Sequence, residues 1–456
     1  MAAEHDSLNE SNGGSVAVVG GGLAGMAAAW RLANAARRVT LIERRPYLGG
    51  RAYSFVDRDT GQQVDNGQHV FLGCCTAYVQ FLGEIGTVDR AARQPSLRVE
   101  VHSPDGRGGV LTAAPLPAPL HLLPSFGRYP HIGWRDKARA VPALLRIARE
   151  RDREREPLRT QSFGDWLRRQ GQSARAIANF WNLIVLPTLN DDVDHATASM
   201  GFMVFQESLL KDRHGTDVGF ARGGLSAAMG APAAERLRER GATVLLGATA
   251  ARLTVEHGRA RCLRLASGET LTADAFVCAV RDDQLRELLP DGAIEVGKPH
   301  EWSPIVNLHV WYDRPVADFD FRAFVDSPVQ WVFNRTRIGG LPGPGTYLTV
   351  SLSGAWEWWP MTKDALRERF VPELARALPQ ARAARVERFI VVKEQRATFR
   401  NLPGEGAWRP RQRTRIPNLF LAGDWTDTGW PATMEGAVRS GNTAAAALLA
   451  SPRSVS

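Results

Sequence analysis

The sequence predicts an α/β protein built around a parallel β-α-β unit, with a second, α+β domain threaded through it, and three stretches predict this. Val16-Ala17-Val18-Val19 reads as a buried strand, leading into Gly20-x-Gly22-x-x-Gly25, an Ala-rich helix to about Ala36, and a strand Val39–Ile42 closed by Glu43. A glycine doublet with an arginine, Gly49-Gly50-Arg51, follows closely. Near the other end, Asn418 to Ala422 is another apolar strand, ending in Gly423-Asp424 ahead of an Ala-rich helix. Strand, glycines, helix, strand and acid in that order, within about 30 residues, are the mark of a Rossmann-like nucleotide-binding fold. A glycine-rich turn in an ordinary α/β unit would carry the glycines without that order.

Each glycine of the first group has a task. Gly20 makes the tight turn, Gly22 lets the backbone approach a pyrophosphate, and Gly25 lets the helix pack on the strand. The amides that open the helix, at Leu23 and Ala24, can then bind the anion. Glu43, with Arg44 beside it, stands roughly 20 residues past the glycines, where a carboxylate hydrogen-bonds an adenosine ribose.

Gly49-Gly50-Arg51 resembles the second fingerprint of the flavin-dependent amine oxidase and phytoene desaturase superfamily. The resemblance implies FAD as cofactor, with the doublet passing beside its pyrophosphate and Arg51 neutralising it. It also implies the fold: a Rossmann-like FAD-binding domain interleaved with an α+β substrate domain. A strand over Tyr53–Val56 and a turn around Asp59-Thr60-Gly61 follow. Then Asp65 to Tyr78, DNGQHVFLGCCTAY, resembles the signature of the squalene-associated FAD-dependent desaturases, the hydroxysqualene dehydroxylases of hopanoid biosynthesis. In relatives this segment runs beneath the flavin ring, which implies cofactor contacts at Gly67 and Gln68. His69 has two readings, a proton donor with a pKa near neutrality or a hydrogen-bonded structural histidine. Cys74 and Cys75, adjacent in sequence, are poorly placed for a relaxed disulfide and read as small buried hydrophobes.

From Ser96 the character changes. Val99–His102 and Val110-Leu111 read as strands. Ala113 to Trp134 is apolar and too proline-rich for a regular element. Lys137 to Leu158 reads as a helix, with Val141, Leu144, Leu145 and Ile147 beside Arg139, Arg146 and Arg149. An apolar loop next to a basic amphipathic helix suits peripheral membrane contact through residues 113–150, and equally a core-facing helix with a solvated face. Ser162 and Asp165 resemble a capping box. The stretch from Gly171 to Asn190 resembles the same family's substrate domain, where Trp181, Leu183, Ile184 and Leu186 would line an isoprenoid tunnel or form plain core.

Phe220 to Leu225 returns the chain to the nucleotide domain. A helix to about Arg240 and strands at Thr243–Leu246 and Ala250–Val255 follow, with Ala250 implied by the superfamily to lie against adenine. A hairpin through Cys262 and Leu271 leads to the buried strand Ala275–Val280, which brings Ala279 to the cofactor. Beyond it, IVNLHVWY, VQWVFN and TYLTVSL read as strands whose Trp311, Trp331 and Phe333 would roof an apolar cavity. A helix over Lys363–Leu378 and a strand around Phe389–Val392 precede the end. There Gly423-Asp424 resembles the superfamily's ribityl-binding pair. The next helix, opening at Thr433 and Met434, would point its positive end at the flavin. The implied division is a disordered tail over 1–15, a cofactor domain of 16–95, 215–285 and 405–450, and a substrate domain of 96–214 and 286–404.

Composition bounds the partners. The net charge of +9 and pI of about 9.8 are carried almost wholly by arginine. A GC-rich genome or attraction to an anionic membrane surface each accounts for that. No nucleic-acid module accompanies it, so nucleic acid is not an expected partner. Four cysteines without metal-ligand spacing fit a reducing cytosol, with no metal site. The polar amino terminus lacks a signal-peptide profile, and no run of 18 apolar residues occurs, so the expected place is the cytoplasm, at most peripheral on the inner membrane face.

The resemblance implies a C30 isoprenoid alcohol, hydroxysqualene, as substrate and squalene as product. Loss of an allylic hydroxyl needs an acid and an aromatic, water-poor pocket. His69, Asp427 and Glu435 are the candidate acids, and Trp430 the aromatic facing the cation. No second nucleotide fingerprint for NADPH is present, which leaves a separate electron-donating reductase as a candidate partner. Two other readings stay open: a carotenoid-type polyene desaturase, and a non-catalytic isoprenoid carrier such as the Rab GDP-dissociation inhibitors.

Overall fold

Strand β1 (Ser15–Val19) is buried along Val16–Val19 because it is the middle of a five-stranded parallel sheet. Strand β2 (Arg38–Glu43) and Ala275–Cys278 flank it, with Thr243–Leu246 and Leu419–Leu421 at the edges. A parallel sheet is covered on both faces, which is why these strands read as unbroken apolar runs. Helix α1 (Leu23–Asn34) covers one face and packs on the C-terminal helix Met434–Leu449. That approach needs Gly441, since a Cβ there would overlap the carbonyl oxygen of Ala24. The computed structural model describes residues 14–59, 61–341, 343–404 and 409–451. Residues 1–13 of the expected tail, Thr60 of the expected turn and 405–408 of the expected third cofactor segment lie outside them. Ser15 belongs to β1 rather than to the tail: its amide and hydroxyl donate to Asp274 Oδ2 at 2.7 and 2.8 Å.

A second sheet has seven strands, in the order Val386–Phe399, Trp302–Tyr312, Thr346–Leu352, Trp331–Asn334, Phe321–Phe324, Arg98–His102 and Gly108–Thr112. The two parts of the chain that build it join where Phe321–Phe324 and Arg98–His102 run parallel. Its side chains alternate faces. Val306, Leu308, Leu348 and Val350 pack against Leu366, Phe370 and Leu374 of the helix Lys363–Ala377. Ile305, Asn307 and Ser351 point the other way, into a cavity. Helices between Phe163 and Leu210 close the cavity's far side around an aromatic core of Phe163, Trp166, Trp181, Phe202 and Phe205.

Several expectations need correcting. The proline-rich stretch forms regular turns after all, a 3-10 turn at Leu120–Leu122 and a helix at Leu123–Arg128, because Pro124 falls in a first turn where its missing N–H costs nothing. The helix expected over 137–158 runs Trp134–Arg149 and a separate turn forms at Glu156–Arg159, since 150–156 has no apolar face to bury. The strand near Phe389 extends from Val386 to Phe399 because it pairs along most of Trp302–Tyr312. Ser162 caps Phe163–Arg169 by accepting from Asp165 N at 3.0 Å, but the Asp165 carboxylate turns to Arg168 instead of closing the box.

Candidate active site

A cavity of about 1000 Å³ extends from the carboxyl ends of the parallel strands to the helices around residues 120–145. At the first end the backbone itself is the wall. Gly20 N donates to Ile42 O at 2.8 Å and Gly20 sits at φ +108°. A Cβ on Gly25 would overlap Gly20 O, so α1 meets the turn only as glycine. Gly22 differs: an added Cβ would meet nothing nearer than Gly50 Cα at 3.8 Å, and the face left open is cavity. The doublet forms the facing wall, with Gly49 N donating to Gly21 O at 2.8 Å.

No side chain caps α1 and no acid sits in its first turn, so the amides of Leu23 and Ala24 are open to an anion. Glu43 accepts from Gly21 N at 2.7 Å and Arg45 N at 2.8 Å, which fixes its carboxylate at the cavity edge. Arg44, Ala250 and Ala279 line the same end. An uncapped helix terminus, a face that only glycine leaves free and a held carboxylate fit the dinucleotide half of FAD.

The third fingerprint completes the other half. Arg51 Nη2 lies 2.6 Å from Asp424 Oδ1, and Nη1 donates to Ala397 O at 2.8 Å. The guanidinium expected to neutralise a pyrophosphate is therefore engaged by Asp424, and fastens the second fingerprint to the third. Gly423 has φ +146°, and a Cβ there would come within 2.5 Å of Trp425 Nε1. Thr433 caps the C-terminal helix by accepting from Gly436 N at 3.1 Å; it and Met434 reach the cavity, so the helix presents its positive end there. Arg409, half-buried and with its pKa pushed down to about 10 by the desolvation of its guanidinium, holds this loop by donating to the carbonyls of Trp430 and Asp424 at 2.6 and 2.7 Å.

The candidate acids fare differently. Asp427 is exposed and is not part of the cavity wall; its backbone N–H bonds Pro410 O. Glu435 is fully buried and accepts from Ala77 N at 3.1 Å, Tyr78 N at 2.7 Å and Arg439 Nε at 2.6 Å. It thereby satisfies the start of helix α2 (Thr76–Glu84), which has no cap of its own. Every contact that this carboxylate makes is with a donor, which supports a structural role, and Glu435 also lines the cavity. His69 does face the cavity. Its Nδ1 is 3.2 Å from Gly67 O, which makes Nδ1 the protonated nitrogen and leaves Nε2 as the free one. Burial holds its pKa below the ordinary value, partly offset by the Gly67 carbonyl and by Asp65 and Glu394. Gln68 accepts from Arg335 Nη1 at 2.9 Å, while Arg335 Nη2 makes a buried ion pair with Asp65 at 2.8 Å. Trp430 is on the wall, with Arg439 4.8 Å from its ring centroid.

Across the seven-stranded sheet the cavity face changes polarity. Glu394, Asn307, Ser351 and Ser353 stand at the cofactor end; Trp331, Phe333, Phe321, Val99 and Leu111 continue from them. Leu183, Ile184, Met203 and Phe126 extend the apolar wall towards Leu120, Leu123, Val141 and Leu145, which are 36–47% exposed. Trp134, at 73%, is beside them in sequence. Trp311 does not roof the cavity: it stacks on Tyr347 at 4.1 Å and donates to Gln62. Trp181 and Leu186 are not on the wall either. Cys74 and Cys75 are free, half-buried cavity residues, Cys75 also packing against the core, and the Cys75 thiol is pushed well up by its hydrogen bond with the Cys74 thiol and by burial. Sequence reasoning missed Asn307, Glu394, Arg335 and Arg409. A lone amide inside the apolar IVNLHV was the one visible sign of Asn307.

A family model described as flavin containing amine oxidoreductase matches residues 23–449. The chain is 32% identical over 451 residues to a hydroxysqualene dehydroxylase of Rhodopseudomonas palustris, covering 96% of this chain and 99% of that one. It is 27% identical over 466 residues to a 15-cis-phytoene desaturase of Narcissus pseudonarcissus, covering 98% and 81%. Among solved structures, a putrescine oxidase bound to putrescine superposes with TM-score 0.72 at 18% identity, over 96% of this chain and 99% of that one. A cyclohexylamine oxidase from Brevibacterium oxydans gives 0.69 at 19%, over 96% and 98%.

Proposed function

The chain belongs to the flavin containing amine oxidoreductase family and its cofactor is FAD; from there we propose that it removes the hydroxyl of hydroxysqualene reductively, giving squalene. One observation carries this reading. Beyond the FAD cradle the cavity wall is mainly apolar, interrupted on the helical side by Thr188, Glu207, Ser208 and Thr216, which suits a long isoprenoid with one oxygen at the reacting end. FAD, when bound and reduced by an external donor, would supply the electron pair and hydrogen that replace the hydroxyl, which leaves as water. The chain supplies the rest. His69 Nε2 carries the proton delivered to the departing oxygen: burial that disfavours the imidazolium makes it a ready donor once protonated, and Asp65 and Glu394 favour its loading. Trp331 and Phe333 exclude water, and Trp430 offers a π face to developing positive charge.

We also propose that the chain works at the cytoplasmic face of a membrane. No helix among the described residues is long and apolar enough to cross one, but exposed Leu120 and Leu123 line the apolar end of the cavity, and exposed Leu116 and Trp134 flank them in sequence. A separate reductase is the electron donor this reading implies. Polyene desaturation is the second reading, favoured by relatives named phytoene desaturases at 26–27% identity. Anaerobic incubation of chemically reduced enzyme with hydroxysqualene, followed by mass analysis, separates the two. Squalene supports dehydroxylation; unchanged alcohol, with two hydrogens lost from phytoene by the oxidised enzyme, supports desaturation.

A further inference from the structure

Asn307 sits mid-strand between Val306 and Leu308, both fully buried, and is itself only 3% exposed. Its Oδ1 is buried without a hydrogen-bond partner among the described residues. The amide lies against Gly67: a Cβ there would come within 2.5 Å of Nδ2, so that glycine is what admits it. Asn307 also lines the cavity, between the Gly67–His69 segment and the aromatic strip of Trp331 and Phe333. A leucine of similar size would fill this place without an unpaired carbonyl, so the amide costs stability unless a ligand pairs it.

We infer that the Asn307 amide receives the oxygen of the substrate alcohol and sets the preference for an alcohol over the matching hydrocarbon. This rests on the dehydroxylase reading. A hydroxyl both donates and accepts, as does the amide, whereas squalene does neither. A site built to bond a hydroxyl discriminates against the analogue that lacks it, because its own polar atoms are then left unpaired. Asn307 is here a specificity residue, and the proton passes elsewhere.

The test uses FAD-loaded, oxidised enzyme, which has no electrons to give, with hydroxysqualene and squalene affinities read from quenching of tryptophan fluorescence. Wild type should bind the alcohol about tenfold more tightly than the hydrocarbon. Asn307→Leu should bind both at the wild-type squalene affinity, with unchanged flavin content and an unfolding temperature no lower than wild type. Asn307→Ser, which keeps a donor and acceptor, should restore part of the preference, and serves alone if the leucine variant does not fold. A variant that keeps the full preference overturns the inference. So does loss of flavin or a shifted flavin spectrum with the preference intact, which would assign the amide to the cofactor. Wild type without any preference overturns it as well, even if squalene is formed. An Asn307-dependent preference in an enzyme whose reduced form yields no squalene would leave this inference standing and remove the dehydroxylase reading.

Discussion

Replacing Gly22 and Gly25 separately by alanine should divide cofactor binding from folding. At Gly25 the new Cβ overlaps a backbone oxygen, Gly20 O, and backbone cannot swing away as a side chain would. Helix α1 must move off β1, an overpacking cost of about 1–3 kcal/mol or more. At Gly22 the backbone is extended, φ −74° and ψ 178°, which alanine adopts freely, and the nearest atom to its Cβ is 3.8 Å away. Apart from an N-cap preference of up to about 1 kcal/mol, the empty protein should tolerate it. The methyl, however, points into the cradle at the face a pyrophosphate must approach. A tenfold loss of FAD affinity there is about 1.4 kcal/mol. Because FAD stabilises only the folded chain, and 456 residues unfold with about 2.1 cal/mol/K each, that loss lowers the melting temperature in excess FAD by roughly 1–2 °C. The assay is FAD titration by flavin fluorescence, with thermal unfolding in its presence and absence. Gly22→Ala binding FAD as wild type does would refute the placement of the cofactor across this turn.

Three further outcomes follow from the site and its support. Glu435→Ala strands two helix amides and Arg439, and should cost about 2–4 kcal/mol in chemical denaturation, the Arg439 share reduced by its partial exposure. Glu435→Gln should cost less and keep turnover per bound flavin; abolished turnover at unchanged stability would return Glu435 to the role of acid. His309 is buried with its pKa lowered from 6.5 to about 3 by burial, so the unfolded chain takes up a proton there before the folded one does. Its contribution to stability is present above pH 6.5 and is lost as pH falls towards 3, at about 1.4 kcal/mol per pH unit. His309→Gln should flatten that acid limb in unfolding free energy measured against pH, and an unchanged slope would count against it. Leu123→Asp with Trp134→Asp should lower binding to anionic vesicles more than tenfold, at roughly 1.5–3 kcal/mol per inserted side chain, while flavin content stays constant; undiminished sedimentation with vesicles would remove the proposed docking face.

The cofactor end was legible because its constraints are local. Gly20, Gly22 and Gly25 sit where strand becomes helix, and the backbone must pass closely within a few residues of sequence, so the pattern shows without the fold. The places of the two candidate carboxylates were not legible, since what a carboxylate does depends on its surroundings. Asp427 and Glu435 flank the same loop in sequence, yet one faces solvent and the other is consumed by helix amides more than 350 residues away. Asn307 and Glu394 come from different strands, and only the pairing of Trp302–Tyr312 with Val386–Phe399 places them on one wall. Arg51 shows the limit of a motif: its position follows from the resemblance, but its ion pair with Asp424 depends on where the third fingerprint folds back. The proline-rich stretch misleads for a related reason, because a proline in a first turn, as at Pro124, costs no intrahelical hydrogen bond.

The most direct measurement of the proposed activity is a single turnover without air. Chemically reduced enzyme is mixed with hydroxysqualene while flavin absorbance and product are followed together. Reductive dehydroxylation predicts that the oxidised flavin spectrum returns as squalene forms, one molecule for each flavin reoxidised. A flavin that stays reduced while the alcohol persists, or reoxidation without squalene, would contradict it.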